Sequence, residues 1–150
     1  MTKSFPKLAE IEVRYRPANA HNPVITSSQD AYNHLKGFFP EDTIALYETF
    51  IVGYLNRANR LLGVYEVSKG GITGTVVDIR LILSVALKTA ATGIILAHNH
   101  PSGNLQPSEN DKVITEKIKQ ACKLLDISLL DHLIVNPDKQ FISFIEESLL

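Results

Sequence analysis

The sequence predicts an α/β (α+β) domain, a mixed β-sheet flanked by helices, and three observations lead there. Helix-period and strand-period segments alternate through the middle of the chain, and hairpin-like strand pairs stand on either side. One continuous apolar run, GIILAH at residues 93–98, has the length and composition of a fully buried strand.

Taken in order, residues 1–26 are expected to form an extended N-terminal arm. Pro6, Pro17 and Pro23 punctuate it, and the alternation over residues 11–15 predicts one short strand within it. The domain proper is residues 27–150. Ser27 and Ser28 offer hydroxyl caps to QDAYNHLKGFF, whose Ala31, Leu35 and Phe38 recur at helical spacing until Pro40, so a helix is predicted over residues 28–39. β-Branched and aromatic residues at 49–55 and 61–67 flank the polar NRANR, which predicts a hairpin. Gly70, Gly71 and Gly74 break that pattern; a short strand is expected near residues 75–77, and Asp78 can cap an amphipathic helix running to about Thr92. After the strand at 93–98 comes a polar loop, HNHPSGNLQPSEND, then helical periodicity in KVITEKIKQACKLLD. SLLDHLIV and QFISFI read as strands joined by the Asn136-Pro137-Asp138 turn.

Composition narrows the function classes. The chain has 150 residues, 45% hydrophobic and 21% charged, as expected of one globular domain with a real core. Its 15 basic residues nearly cancel its 16 acidic ones and form no run, so the electrostatic footprint of a nucleic-acid-wrapping protein is missing. Cys122 is the single cysteine, which excludes an intramolecular disulfide framework or a multi-cysteine zinc cluster. Charges at Lys3, Lys7, Glu10 and Glu12 stand where a signal peptide needs an apolar core, and no apolar run approaches membrane-spanning length. A cytoplasmic location is therefore expected.

The chemistry is concentrated in the loop after residue 98. His98 and His100 are two apart at the end of an apolar strand, and in extended backbone such residues point to the same side. Imidazole nitrogens and carboxylate oxygens suit zinc, and a catalytic zinc takes three protein ligands with one position open. Asp111 is the natural third ligand, because Pro101-Ser102-Gly103 and Pro107 turn the chain so that the next helix can swing back over the histidines. Ser108-x-x-Asp111 also reads as a helix capping box, and the two readings are compatible.

Together these residues spell His98-x-His100-Pro101-Ser102-Gly103, then Pro107-Ser108-x-x-Asp111, with an acidic residue on an earlier strand. This resembles the signature of the JAMM (JAB/MPN+) zinc metallopeptidases. The wider stretches NRANRLLGVYEVSKGG, IILAHNHPSGNLQPSEND and LLDHLIV resemble its RadC-like branch, over roughly residues 27–148. The resemblance implies a JAB/MPN-like fold akin to the three-layer architecture of cytidine deaminases. It also implies one zinc ion on His98, His100 and Asp111, with Glu66 as catalytic base and Ser108 supporting the oxyanion. The implied reaction is hydrolysis of a peptide or isopeptide bond in a peptide or protein substrate. Longer RadC-like proteins carry an N-terminal helical module resembling helix-hairpin-helix elements; this chain is expected to start after it.

The role of Glu66 has a physical reading of its own. It shares a strand face with Val64, opposite Tyr65 and Val67, and a buried carboxylate there must be compensated by an activated water or by Lys69 or Arg80. Among the other candidates, His132 is expected to be a satisfied core histidine or a support for the metal loop, and Asp131 to meet solvent or a helix end. Asn99 should point away from the metal into a structural hydrogen bond, Ser102 and Gly103 should shape the turn, and Cys122 belongs to the core. His21 and His34 are expected at the surface. Two rival functions are a DNA-associated repair or nuclease-type protein and a non-catalytic metal-binding interaction module. The string His98-Asn99-His100 does not make an HNH nuclease, whose residues are dispersed over a ββα motif, and the cysteine pattern of the zinc deaminases is absent.

Overall fold

A computed structural model describes residues 8–18, 21–71 and 76–150. The domain is built from α1 (Ser28–Leu35), β1 (Thr49–Leu55), β2 (Leu61–Lys69), α2 (Ile79–Lys88), β3 (Gly93–Asn99), α3 (Glu109–Lys123), β4 (Ser128–Val135) and β5 (Phe141–Ser143). The five strands form one mixed sheet in the order β2-β1-β3-β4-β5. Only β3 and β4 run parallel, as their connection through α3 requires; the remaining neighbours are antiparallel.

Helices cover both faces. On one side α1 contributes Ala31, Tyr32 and Leu35 to a core with Ile51, Leu55, Ile95, Ala97 and Leu133. On the other, Ile82 and Ala86 of α2 and Ile118 and Cys122 of α3 pack on Phe50, Val52, Tyr54, Ile94 and Leu96. The period-2 alternation of β1 and β3 splits their side chains between these cores, which is why both strands are buried along their whole length. The expected mixed sheet flanked by helices is therefore what forms.

Several element ends differ from expectation, each for a local reason. The first helix stops at Leu35 and continues only as a 3-10 turn over Lys36–Phe38. α2 ends at Lys88 rather than near Thr92, because Ala90 takes φ 54° and the Ala91 N–H reaches back to the Ala86 carbonyl. α3 closes in the same way: Asp126 has φ 55° and the Ile127 N–H bonds the Cys122 carbonyl. β5 is only three residues long, shorter than QFISFI. No strand forms over residues 11–15, whose Ile11 and Val13 are exposed. Of the strand expected near residues 75–77, Thr75 lies outside the described residues and Val76 and Val77 are not in a strand. No described helix is long and apolar enough to cross a membrane.

Candidate metal centre

Pairing across the sheet brings the chemistry to one end of it. Phe50 on β1 lies opposite His98 on β3, and the two rings stack with centroids 5.7 Å apart, so His98 projects from the face that carries α2 and α3. His100 follows the strand and is tied down by its own backbone. Its N–H donates to the Val135 carbonyl at 2.9 Å, and its carbonyl accepts from Gly103, whose φ of +88° suits glycine at the turn. The Asn136 side chain donates to the Gly103 carbonyl at 3.0 Å, fastening the loop to the end of β4. As expected of residues i and i+2 on an extended segment, the two imidazoles converge, with Nε2 atoms 3.0 Å apart.

Asp111 comes from the first turn of α3. The capping box is complete: the Ser108 hydroxyl accepts from the Asp111 N–H at 3.0 Å, and Asp111 Oδ2 accepts from the Ser108 N–H at 2.7 Å. The same carboxylate places Oδ1 3.2 Å from His98 Nε2 and Oδ2 3.3 Å from His100 Nε2. Capping and convergence on the histidines thus coexist in one side chain.

The fourth member of the group is Glu48. It stands just before β1, two residues from Phe50 and hence on the His98 side of the sheet, and its carboxylate lies 3.7 Å from His98 Nε2. Glu48, His98, His100 and Asp111 have ligand atoms all within 4.8 Å of one another, an arrangement that can hold a metal ion. Asn99 keeps Glu48 in place. Pointing away from the cluster as expected, its side chain donates to the Ile44 and Tyr47 carbonyls and accepts from the Thr49 N–H, at 2.7–2.9 Å.

The expectation that Glu66 joins the histidines is not met. Glu66 lies opposite Ile51, which in turn lies opposite Ala97, and this row belongs to the α1 face. Strand alternation therefore sends Glu66 to the side of the sheet that His98 does not occupy. It is also half-exposed rather than buried, 4.0 Å from Lys69, so the desolvation that would have demanded a compensating partner is small. Arg80 pairs with Asp78 instead. The signal for Glu48 was available: it is the acidic residue immediately before the apolar TFIVGYL, at the strand end that an antiparallel neighbour brings beside the His98 end of β3.

Electrostatics bind the cluster together. Burial works against a charged His100, yet its bond to Asp111, its bond to the Asn104 carbonyl and the nearby Asp111 and Glu48 charges raise its pKa above the ordinary value. Burial likewise opposes the Asp111 carboxylate, but His100, His98 and the Ser108 N–H hold its pKa far below the usual range. Behind His98 lies His132, wholly buried, which burial first and the neighbouring histidines second keep neutral. Its Nε2 is 2.8 Å from His98 Nδ1, so it supports the cluster and does not face it. Asp131, expected at solvent or a helix end, is instead buried; it accepts bonds from the Ser143 hydroxyl and from the N–H groups of Ile145 and His132. Cys122 is buried in the core, with its thiol pushed up to about 11 by burial, and His21 and His34 are exposed.

A helix-covered mixed sheet presenting a His/His/Asp/Glu cluster at one end of its strands fits the class of metal-dependent hydrolases. Comparison with known proteins makes the assignment particular: residues 25–149 match the RadC-like JAB domain, and the chain belongs to that family. It is 46% identical over 125 residues to a UPF0758 protein of Flavobacterium johnsoniae, an alignment covering 83% of this chain and 53% of that protein. A UPF0758 protein of Chlorobaculum parvum is 40% identical over 141 residues, covering 94% of this chain and 62% of the relative. One from Porphyromonas gingivalis is 36% identical over 151 residues, covering 99% and 65% respectively. The chain thus spans between half and two thirds of the length of these curated relatives.

Proposed function

We propose that the protein is a zinc-dependent hydrolase of the JAMM type that cleaves a peptide or isopeptide bond. The observation that carries this reading is the convergence of His98 Nε2 and His100 Nε2, 3.0 Å apart, on the Asp111 carboxylate, whose Oδ1 lies 3.2 Å from the first and whose Oδ2 lies 3.3 Å from the second. Ligands about 2.0–2.1 Å from a tetrahedral zinc stand roughly 3.3 Å from one another, and each of these separations is of that size. The neutral ring of His100 also has the tautomer such a site needs. His100 Nδ1 can only donate to the Asn104 carbonyl, 2.6 Å away, which leaves its Nε2 bare.

A zinc ion held by these three residues would supply Lewis acidity, acidifying a water molecule and polarising a carbonyl oxygen. The remaining steps fall to side chains. Glu48, largely enclosed but not sealed at 17% side-chain exposure, takes the proton of the attacking water on its carboxylate and delivers it to the departing amine. Ser108, whose oxygen accepts the Asp111 N–H, has its hydroxyl proton to offer to the oxyanion of the tetrahedral intermediate. Asn99 holds the segment that carries Glu48, keeping the base at a fixed height over the two imidazoles. In place of Glu66, Glu48 is the general base of this reading. The near-neutral charge, net −1, favours a peptide or protein substrate over a phosphodiester backbone.

The test is metal analysis of the purified protein followed by incubation with peptide, isopeptide and DNA libraries. One zinc per chain and cleavage of an amide bond, abolished by chelation and restored by zinc, are expected. DNA cleavage with peptides left intact would replace this reading with a nuclease.

A further inference from the structure

Behind the three proposed ligands, Thr115 and His132 form a hydrogen-bonded chain in which each proton has one possible place. We propose that Thr115 and His132 are positioning residues that lock His98 in the tautomer protonated on Nδ1, so that its Nε2 lone pair is permanently turned toward the metal. The inference rests on the metal-centre reading given above.

The protons can be assigned from one end. Thr115 is four residues after Asp111, on the same face of α3, and its Oγ1 lies 2.5 Å from the Asp111 backbone carbonyl and 2.6 Å from His132 Nδ1. A carbonyl only accepts, so the single hydroxyl proton goes to Asp111. The hydroxyl oxygen must then accept, and His132 Nδ1 carries a proton. His132 has no exposed surface, and its ring nitrogens bond a hydroxyl and another imidazole rather than a carboxylate, so burial outweighs the more distant Asp111 charge. The ring is neutral and its Nε2 is bare. That nitrogen, 2.8 Å from His98 Nδ1, accepts the His98 proton, leaving His98 Nε2 without one, 3.2 Å from Asp111.

One hydroxyl therefore reads the position of α3, through the carbonyl of the very residue that supplies a carboxylate ligand, and transmits it to the protonation of His98. The walls leave little room for another arrangement: Phe144 stacks on His132 with centroids 4.5 Å apart, and Phe50 packs against both rings at 5.6–5.7 Å. Without the hydroxyl, the His132 proton loses its acceptor and moves to Nε2, where it faces His98 Nδ1. His98 must then hold its own proton on Nε2, in the place of the metal.

The experiment uses the full chain, as wild type, Thr115→Val and Thr115→Ser. Zinc affinity is measured by competition with a chromophoric chelator, and the tautomer of His132 by long-range 15N–1H correlation in metal-free protein. Nδ1 protonation of His132 is expected in the wild type and in T115S, and Nε2 protonation in T115V. Zinc affinity should fall about 10–100-fold in T115V and return to near wild type in T115S. Nε2 protonation of His132 in the wild type, or wild-type affinity in T115V, would overturn the proposal. The wild-type tautomer is read even if T115V does not fold. A wild type that binds no zinc yet shows His132 protonated on Nδ1 overturns the metal-centre reading and with it the relay's purpose, a result distinct from failure of the relay itself.

Discussion

Replacing Glu48 by Gln, beside the same change at Glu66, separates a carboxylate just before β1 from one on β2 that faces the opposite side of the sheet. Gln keeps the shape and one acceptor oxygen of Glu48 and removes its basicity. Since the carboxylate sits 3.7 Å from His98 Nε2 and is not one of the three close donors, zinc content should stay near one per chain. A positioned general base contributes about 10²–10⁴-fold, roughly 3–5 kcal/mol of barrier, so kcat for the amide substrate identified by library screening should drop by that factor with KM little changed. Glu66 meets Lys69 at 4.0 Å with both side chains half-exposed, an ion pair contributing about 0–1 kcal/mol of stability and nothing to the reaction. Glu66→Gln should therefore keep kcat within about twofold. Steady-state kinetics with metal analysis of each variant reads both. Full activity in E48Q, or loss in E66Q equal to that in E48Q, would refute the assignment and the sheet-face reasoning under it.

Other outcomes follow from the same geometry. Asn99→Ala removes three hydrogen bonds, one buried and two part-buried, at about 1 kcal/mol each, and frees the segment before β1; urea unfolding should show a loss of roughly 3 kcal/mol, and kcat should fall further than stability alone explains. In metal-free protein, the raised pKa of His100 gives stability that is full below the ordinary 6.5 and is lost as pH rises through its folded value. The lowered pKa of His132 acts in the opposite sense, costing stability as pH falls below 6.5, because the unfolded chain then takes up a proton that the buried ring refuses. Thermal unfolding after chelation should thus be most stable near pH 6.5, with the alkaline decline erased in His100→Gln; a wild-type profile flat between pH 6 and 8.5 would contradict this. Cys122, buried and with its thiol pushed up to about 11, should react with a disulfide reagent only on unfolding, and reaction at a free-thiol rate in native protein would show that the α3 core opens.

How much was legible in the sequence varied with the range of the interaction responsible. The apolar run at β3, the paired strands around NRANR and the Ser108-x-x-Asp111 cap are set by neighbouring residues, and each formed where periodicity or a capping residue placed it. Helix ends were less legible: the left-handed turns that stop α2 and α3 fall on Ala90 and Asp126, not on glycine. His98, His100 and Asp111 were found because they lie within fourteen residues, from the end of β3 to the first turn of α3, where spacing alone constrains geometry. Glu66 was misjudged, although its strand face was read correctly, because a strand's alternation says which side chains share a face but not which face the neighbouring strand turns to the site. Asp131 was misjudged for a similar reason, its partners Ser143 and Ile145 arriving from the far side of the final turn.

The sequence by itself determined the donor chemistry: two histidines at strand spacing, an aspartate in a helix cap and a fold able to bury them. Only the tertiary structure decided which carboxylate lies beside them and what stands behind them. The register of β1 against β3 chose Glu48 over Glu66, and the packing of α3 on β4 joined Thr115 to His132 and His132 to His98. Both outcomes depend on contacts between segments distant in the chain, and such contacts are set by how the sheet pairs and how the helices pack upon it, which no local pattern of residues records.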